Sequence, residues 1–458
     1  MINRTEKIIS RINELAAVSE DADGITRRFG TTAFLEAGNK VLHWMRQAGL
    51  QARIDAIGNV RGIWHAAGDV GRGAGDDGVR GLAGDGKVGG SAGGGDVRSA
   101  AGGGNVGELS GGGKIRTLVI ASHIDTVRNA GRWDGPLGVL MGLDLLENII
   151  ASKKRLPFHI ELIAFCDEEG VRFHSTYLGS KVVAGLLEPE LLHRKDEEGI
   201  ELEEVIRLIG GDPAALGREA IAPEDWMGYF EIHIEQGPVL YEKKIPAALV
   251  RAIAGQIRAE VVIKGVAGHA GTVPMDMRKD ALCGASEFVL EIEKLALADK
   301  HVLTATVGKL QIPNAASNVI PGEVVCSLDL RSADQRVLSE AYKEIGILCA
   351  AIGHRRGIDI GLHVQQATPP VDCDVRMNGL LAQSIREAGY EVLSLVSGAG
   401  HDAVAVSAVS PVAMLFVRCY KGISHNPLED VEAEDITAAI GICDNFIHQL
   451  TEIWRYQP

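Results

Sequence analysis

Long apolar runs are missing from this chain of 458 residues. No stretch reaches the roughly 18 uninterrupted apolar residues of a spanning helix. The amino-terminal MINRTEKIISRINELAAVSE also puts charges where a secretion signal needs its apolar centre. Both features exclude a membrane partner and lead us to expect a cytoplasmic protein. Paired cysteines are missing too: the seven present are scattered without CxxC spacing, which reads as reduced thiols and sets cysteine metal chemistry aside. Positive charge is in short supply, with 46 Lys and Arg against 61 Asp and Glu and a formal net charge of −15. That balance disfavours nucleic acid, whose binding depends on neutralising phosphates. The apolar fraction of 46% and charged fraction of 23% are those of a folded globular protein, and the length exceeds what one hydrophobic core usually serves.

Residues 68 to 113 carry Gly at roughly two positions in five and almost no large apolar side chain. Such a segment cannot bury enough surface to offset its ordering entropy, so it is expected to be a flexible insertion between strand-like runs at 58–64 and 117–120. It holds neither GxxxxGK[ST] nor a GxGxxG set between strand and helix, which argues against a phosphate cradle. Beyond it, apolar runs of strand length (TLVIASH, FHIELIAFC, YFEIHIE) alternate with segments of helical period at 136–153 and 178–186. Strand–helix alternation of this kind predicts a helix-flanked mixed sheet. The pattern resumes late, with a helix near 375–388, strands EVLSLV and VAMLFV, and a last helix over about 432–453.

Between these lies a unit of different order: IRAEVVIKG, a helix at 279–297, VLTATVGKL, EVVCSLDLR, a helix at 334–353 and IDIGLHVQQ. This βαββαβ series predicts a four-stranded, ferredoxin-like sheet with two helices on one face. The expected organisation is therefore an α/β catalytic body formed by 1–249 and 367–458, with 250–366 inserted.

The chemistry-bearing residues follow the expected strands. ASHIDTVRNAGRWDGPLG places His123 and Asp125 just past one strand and Asp134 in a Gly-rich turn that opens a helix, in the position where α/β sheets collect ligands. His123 suits a metal, and Asp125 could hold the proton on its other ring nitrogen. Standing alone, the segment would read better as a satisfied loop histidine and a turn aspartate. The next strand, however, ends in FCDEEGVRF. Crowding Asp167, Glu168 and Glu169 is costly unless cations or hydrogen bonds offset the repulsion, although an exposed acidic loop would escape that cost. One division of labour makes Glu169 a ligand and leaves Glu168 to move a proton. His233 in YFEIHIEQG and His425 in GISHNPLED complete a set of three imidazoles and two carboxylates, which suits zinc or manganese in a two-metal site.

The ordered motifs HxD, DGxxG, EEG, HIEQG and GISHxPxE, together with GHAGTVPMDMRKDA (268–281), ASNVIPG (316–322), LDLR (328–331) and SGAGHDA (397–403), resemble the M20-type metallopeptidase superfamily. Within it they resemble the allantoate amidohydrolase and N-carbamoyl-L-amino-acid hydrolase branch, over nearly the whole chain except 68–113. The resemblance implies that Asp134 bridges two divalent ions, with His123 and His233 on one and Glu169 and His425 on the other. It implies Glu168 as general base, with Asp125 and His269 also serving catalysis, and Gln236, His269, Asn318 and Arg331 contacting a small ureido acid. It further implies that the inserted unit is a lid and dimerisation domain of a homodimer, with His269 reaching the partner subunit's site. A planar guanidinium such as Arg331 suits a substrate carboxylate, while a surface ion pair is its plainer reading. Hydrogen-bond donors such as His269 and Asn318 suit the oxyanion of a ureido carbonyl under attack. The match is nearest to allantoate amidohydrolases in AIAGQ (252–256), ASNVIPG, SGAGHDA and FVRCYKGISH. The expected reaction is allantoate to ureidoglycine, ammonia and carbon dioxide, with N-carbamoyl-L-amino-acid hydrolysis as the alternative and a dipeptidase behind both. A catalytically silent protein that keeps the fold would have lost ligands, and all five ligand positions and Glu168 are present.

Overall fold

The structure, a computed structural model, describes residues 3–66, 114–298 and 302–455. The Gly-rich stretch 68–113 lies outside the described residues. The larger sheet is built from β1 (Gln51–Ile54), β2 (Val60–Trp64), β3 (Thr117–His123), β4 (His159–Phe165), β5 (Trp226–Ile234) and β6 (Ala247–Ile253). The second sheet uses β7 (Gly255–Lys264), β9 (Thr304–Thr306), β10 (Leu310–Gln311), β12 (Glu323–Ser332) and β13 (Asp359–Thr368). A separate pair is formed by β8 (Gly268–His269) and β11 (Val319–Ile320), and β14 (Val371–Asp372), β15 (Ser394–Ser397) and β16 (Val412–Val417) return to the larger sheet.

Its strand order is β1-β2-β4-β3-β5-β16-β6-β14, with β15 alongside β6. β4, β3, β5 and β16 are mutually parallel, and antiparallel strands flank them. Every residue of those four parallel strands is buried, as expected of a parallel sheet covered on both faces. Alternate residues serve opposite layers. Leu118, Ile120, Phe230 and Ile232 pack with Ile8, Leu137, Ile436 and Phe446 of three helices, whereas Val119, Ala121 and Tyr229 pack with Val183, Leu240 and Val406 on the other face.

Local chemistry fixes the covering helices. Asn3 caps Arg4–Ala16 in a reciprocal box with Glu6, Thr31 caps Thr32–Gln47, and Asp374 caps Val375–Glu387, each satisfying backbone donors that a helix start leaves open. Arg27 is fully buried and ties this layer to the sheet: Nε donates to the Ile124 carbonyl at 2.6 Å and Nη1 to those of Leu15 and Val18 at 2.9 and 3.1 Å.

The second sheet is antiparallel, in the order β10-β12-β7-β13 with β9 beside β12. Helices Ala281–Ala298 and Gln335–Arg356 cover one face, where Phe288 and Ile345 meet Val261, Ile263 and Leu328. β12 alternates buried and half-buried along its length, so its other face is free of that core. The ferredoxin-like pattern expected from sequence is the one found, with two differences. The expected strand VLTATVGKL is broken into β9 and β10. The crossings fall at Ala254 and at Pro369–Pro370 rather than at 250 and 366, because Val250–Ile253 still pairs with β14, β15 and β16.

Candidate metal centre and active site

The carboxyl ends of the parallel strands converge on one cavity. His123 is the last residue of β3, Glu168 and Glu169 follow β4, His233 is the penultimate residue of β5, and His425 lies in the loop after β16. Asp134 joins them from the turn before helix Pro136–Ala151. That turn needs glycine: Gly135 sits at φ +82°, and a Cβ there would fall 2.5 Å from the His123 ring and 2.6 Å from its carbonyl oxygen. Left-handed backbone recurs at Asp167 (φ 51°), Gln236 (φ 57°) and His425 (φ 54°), a conformation costly for side-chain-bearing residues and found where function over-determines the backbone.

Asp134 lies at the centre. Its Oδ1 is 3.1 Å from His233 Nε2 and 3.5 Å from His123 Nε2, while its Oδ2 is 3.2 Å from His425 Nε2. His425 Nε2 is in turn 3.4 Å from Glu169 Oε1. Two groups of donor atoms share Asp134: His123, Asp134 and His233, and Asp134, Glu169 and His425, each with its ligand atoms within 4.8 Å of one another; His123, Glu168 and Glu169 form a further such group beside them. The tautomers suit this arrangement. His123 Nδ1 donates to the Asp125 carbonyl at 3.0 Å and His233 Nδ1 to the Ile234 carbonyl at 2.9 Å, leaving both Nε2 lone pairs aimed inward.

Electrostatics show what this cluster is short of. Burial opposes ionisation of Asp134, but the imidazoles of His123, His233 and His425 set against its oxygens outweigh it and hold its carboxyl well below the usual range. Burial, then the charges of Glu169, Asp402 and Asp125, push Glu168 well above the ordinary glutamate value, with His123 opposing. Burial and Asp134 push Glu169 up to about 7. Behind them Asp167, Glu231 and Asp402 are fully enclosed, each with one carboxylate oxygen lacking a hydrogen-bond partner among the described residues. So many enclosed carboxylates are tolerable only with positive charge supplied or protons retained. A mixed nitrogen and oxygen donor set without thiolate matches zinc or manganese, so the residues fit two divalent ions sharing Asp134.

Several expected residues sit differently from their sequence-based roles. The Asp125 carboxylate is 3.8 Å from His123 Nδ1, and its oxygens instead accept the backbone N–H groups of Glu168 and Glu169 at 3.1 and 3.2 Å. The Asp125 carbonyl orients His123, and its carboxylate locks the loop after β4 against that after β3. Gln236 lines the cavity but donates to Asp134 Oδ2 at 2.8 Å. Arg331 also lines it, with Nε and Nη2 donating to Asp329 at 2.8 and 3.0 Å. His269 ends β8 and Asn318 immediately precedes β11, and there Ala270 N–H donates to the Asn318 carbonyl at 2.9 Å. Both are exposed, and neither lines this cavity.

Other contributors had no role assigned from sequence. Glu429, four residues past His425, accepts the N–H groups of Trp133 and Asp134 at 2.7 and 3.1 Å and is bridged to Asp134 through Ser424. Its place in the GISHNPLED motif was visible, but nothing local distinguished it from a loop acid. His401 packs edge-on against His233 with ring centroids 4.5 Å apart, its Nε2 bonded to Ser397 Oγ at 2.8 Å. The cavity of about 200 Å³ is closed by Tyr177 and Gly400 and, from the second sheet, by Gln256, Arg258 and Arg331. That is below the roughly 300–1,000 Å³ of drug-sized ligand pockets, and it suits a small polar metabolite.

Comparison with known proteins gives matches along most of the chain. A family model described as peptidase family M20/M25/M40 matches residues 119–449. A probable allantoate deiminase of Oryza sativa subsp. japonica is 33% identical over 476 residues, covering 97% of this chain and 88% of that one. An N-carbamoyl-L-amino-acid amidohydrolase of Pseudomonas sp. (strain NS671) is 32% identical over 435 residues, covering 94% of each. A solved amidase of the hydantoinase/carbamoylase family from Burkholderia multivorans aligns with a TM-score of 0.82 at 27% identity, over 97% of each chain.

Proposed function

Because the chain belongs to peptidase family M20/M25/M40, we propose that it is a two-metal amidohydrolase that cleaves a ureido C–N bond, with allantoate as substrate and ureidoglycine, ammonia and carbon dioxide as products. The observation that carries this reading is Asp134, whose two oxygens face separate donor groups completed by His123 and His233 on one side and Glu169 and His425 on the other. Two divalent cations held there would polarise the ureido carbonyl and lower the pKa of water.

The chain's own residues do the rest. Glu168, enclosed beside His123 and Glu169, takes a proton from the attacking water and delivers it to the leaving nitrogen. Asp125 keeps the Glu168–Glu169 loop in register. Arg331, held at its Nε–Nη2 edge by Asp329, presents its remaining N–H groups to the substrate carboxylate. His269 and Asn318 serve the site of a second copy: they form one exposed surface outside their own cavity, and a homodimer would bring them to the partner's ureido oxygen. In this reading residues 255–368 act as both lid and dimerisation unit.

N-carbamoyl-L-amino-acid hydrolysis is the second reading, favoured by the similarity at 32% identity over 94% of each chain to an amidohydrolase of that name. Ammonia release from allantoate, compared with a panel of N-carbamoyl-L-amino acids, distinguishes them. Allantoate is expected to have the higher kcat/KM, and preference for any panel member would replace it.

A further inference from the structure

Tyr177 differs from its neighbours in the cavity lining by a left-handed backbone, at φ 63° and ψ 34°, immediately before the helix Leu178–Val183. A bulky side chain rarely adopts that conformation, and it persists only where the surroundings over-determine it. Three successive backbone bonds do so here: the N–H groups of Tyr177, Leu178 and Gly179 donate to the carbonyls of Glu168, Asp167 and Cys166 at 3.1, 3.2 and 3.0 Å. Tyr177 is thereby fixed to the strap of chain that carries Glu168. It lines the same cavity as Glu168, Thr176, Gly400 and Arg331. Gly400 makes room for it, since a Cβ there would overlap the Tyr177 hydroxyl. Burial, then the charges of Glu168 and Asp402, raise the phenol above the ordinary tyrosine value, so it keeps its proton. Its side-chain hydrogen-bond neighbour is the hydroxyl of Thr176. A hydroxyl both donates and accepts, so with Thr176 donating to the phenol oxygen the phenol proton is left for a ligand.

We propose that Tyr177 is a further catalytic residue, whose hydroxyl donates a hydrogen bond to the ureido oxygen of the substrate as that oxygen gains negative charge. The role rests on the ureido hydrolysis proposed above and adds a group to it. Two parts of a ureido acid could take this donor. The carboxylate carries the same charge throughout the reaction and has Arg331 as its partner. The ureido oxygen gains its charge when water, deprotonated by Glu168, adds to the carbonyl carbon, and a donor fixed to the Glu168 strap lies beside that event. As the new C–O bond forms, the carbonyl π electrons move onto the oxygen. They return when the C–N bond breaks and the proton held by Glu168 passes to the leaving nitrogen. Tyr177 keeps its own proton through both steps. A donor set in place beforehand stabilises developing charge without reorganising, which is where such groups contribute most. Tyr177 also belongs to the same chain as the metal donors, whereas His269 and Asn318 lie outside their own cavity.

The test compares the full-length metal-loaded enzyme with Tyr177→Phe, which keeps the ring and loses only the hydroxyl. Both are assayed on whichever of allantoate and the N-carbamoyl-L-amino acids the parent turns over faster. In Tyr177→Phe, kcat is expected to fall by roughly 10²-fold, with KM and metal content little changed. The pH profile of the residual activity is expected to keep its shape, because the phenol holds its proton throughout. A Tyr177→Phe enzyme with near-normal kcat would overturn the role and reduce Tyr177 to a wall of the cavity. A rise in KM at unchanged kcat would overturn it by making the hydroxyl a ground-state contact, and a loss of metal would overturn it by making the residue structural. Each of these outcomes leaves ureido hydrolysis standing, whereas a parent enzyme inactive on every ureido acid overturns both.

Discussion

Replacing Glu168 by glutamine isolates proton transfer from metal binding. Glu168 is 6% exposed, and its backbone N–H is anchored on Asp125 Oδ1 at 3.1 Å, so an isosteric side chain has little freedom to move away. Glutamine keeps the size and one carbonyl oxygen but removes basicity. Loss of a positioned general base typically lowers the rate by about 10²- to 10⁴-fold, equivalent to about 3–5 kcal/mol of transition-state stabilisation at 1.36 kcal/mol per tenfold. Because the proposed donor groups around Asp134 use Glu169 and the three imidazoles and not Glu168, metal content is expected to survive. KM is expected to change little, since the loss falls on a contact made during reaction. Steady-state ammonia release at saturating substrate, with elemental analysis of the same preparation, reads both quantities. A variant that retains both ions and near-normal kcat would refute the proton-transfer role. One that loses an ion would make Glu168 a ligand and overturn its division of labour with Glu169.

The other expectations follow from the same geometry. Asp134→Ala should empty both metal positions because its two oxygens face both donor groups, whereas His425→Ala should weaken chiefly one. Elemental analysis decides, and two ions retained in Asp134→Ala would remove the bridge. Arg27→Met should destabilise the fold by roughly 3 kcal/mol, because three buried carbonyls, those of Leu15, Val18 and Ile124, lose their donor at about 1 kcal/mol or more each. An unaltered urea midpoint would show that those carbonyls find other partners. Replacing residues 68–113 by a short turn should leave metal content and turnover nearly intact, since among the described residues the candidate donor groups and the cavity lining are assembled from other parts of the chain. A large loss of either would make the segment part of the site.

The candidate metal donors that the structure brings together could be read from sequence because each has a local signature. His123, Glu169 and His233 follow or end apolar runs of strand length, and Asp134 sits in a Gly-rich turn opening a helix. The split βαβ series was readable for a related reason: its helices are long and its strands alternate clearly, as β12 does. What escaped depends on tertiary approach. Val250–Ile253 looked continuous with β7, and only its pairing with β14, β15 and β16 assigns it to the larger sheet. The Asp125 carboxylate turns to the backbone of a different loop, a partner that spacing alone cannot reveal. Glu429 acts on Asp134 across 295 positions of chain, and Gln256 and Arg258 join the cavity lining only once the second sheet is set over the strand ends.

The central claim, that a pair of divalent ions shared by Asp134 carries ureido hydrolysis, is tested most directly by following ammonia release from allantoate while zinc or manganese is titrated into chelated protein. Turnover is expected to be absent without metal, to return as two equivalents per chain bind, and to stay absent in Asp134→Ala at every metal concentration. Full turnover in metal-free protein, or saturation of activity at one equivalent with Asp134→Ala still active, would contradict it.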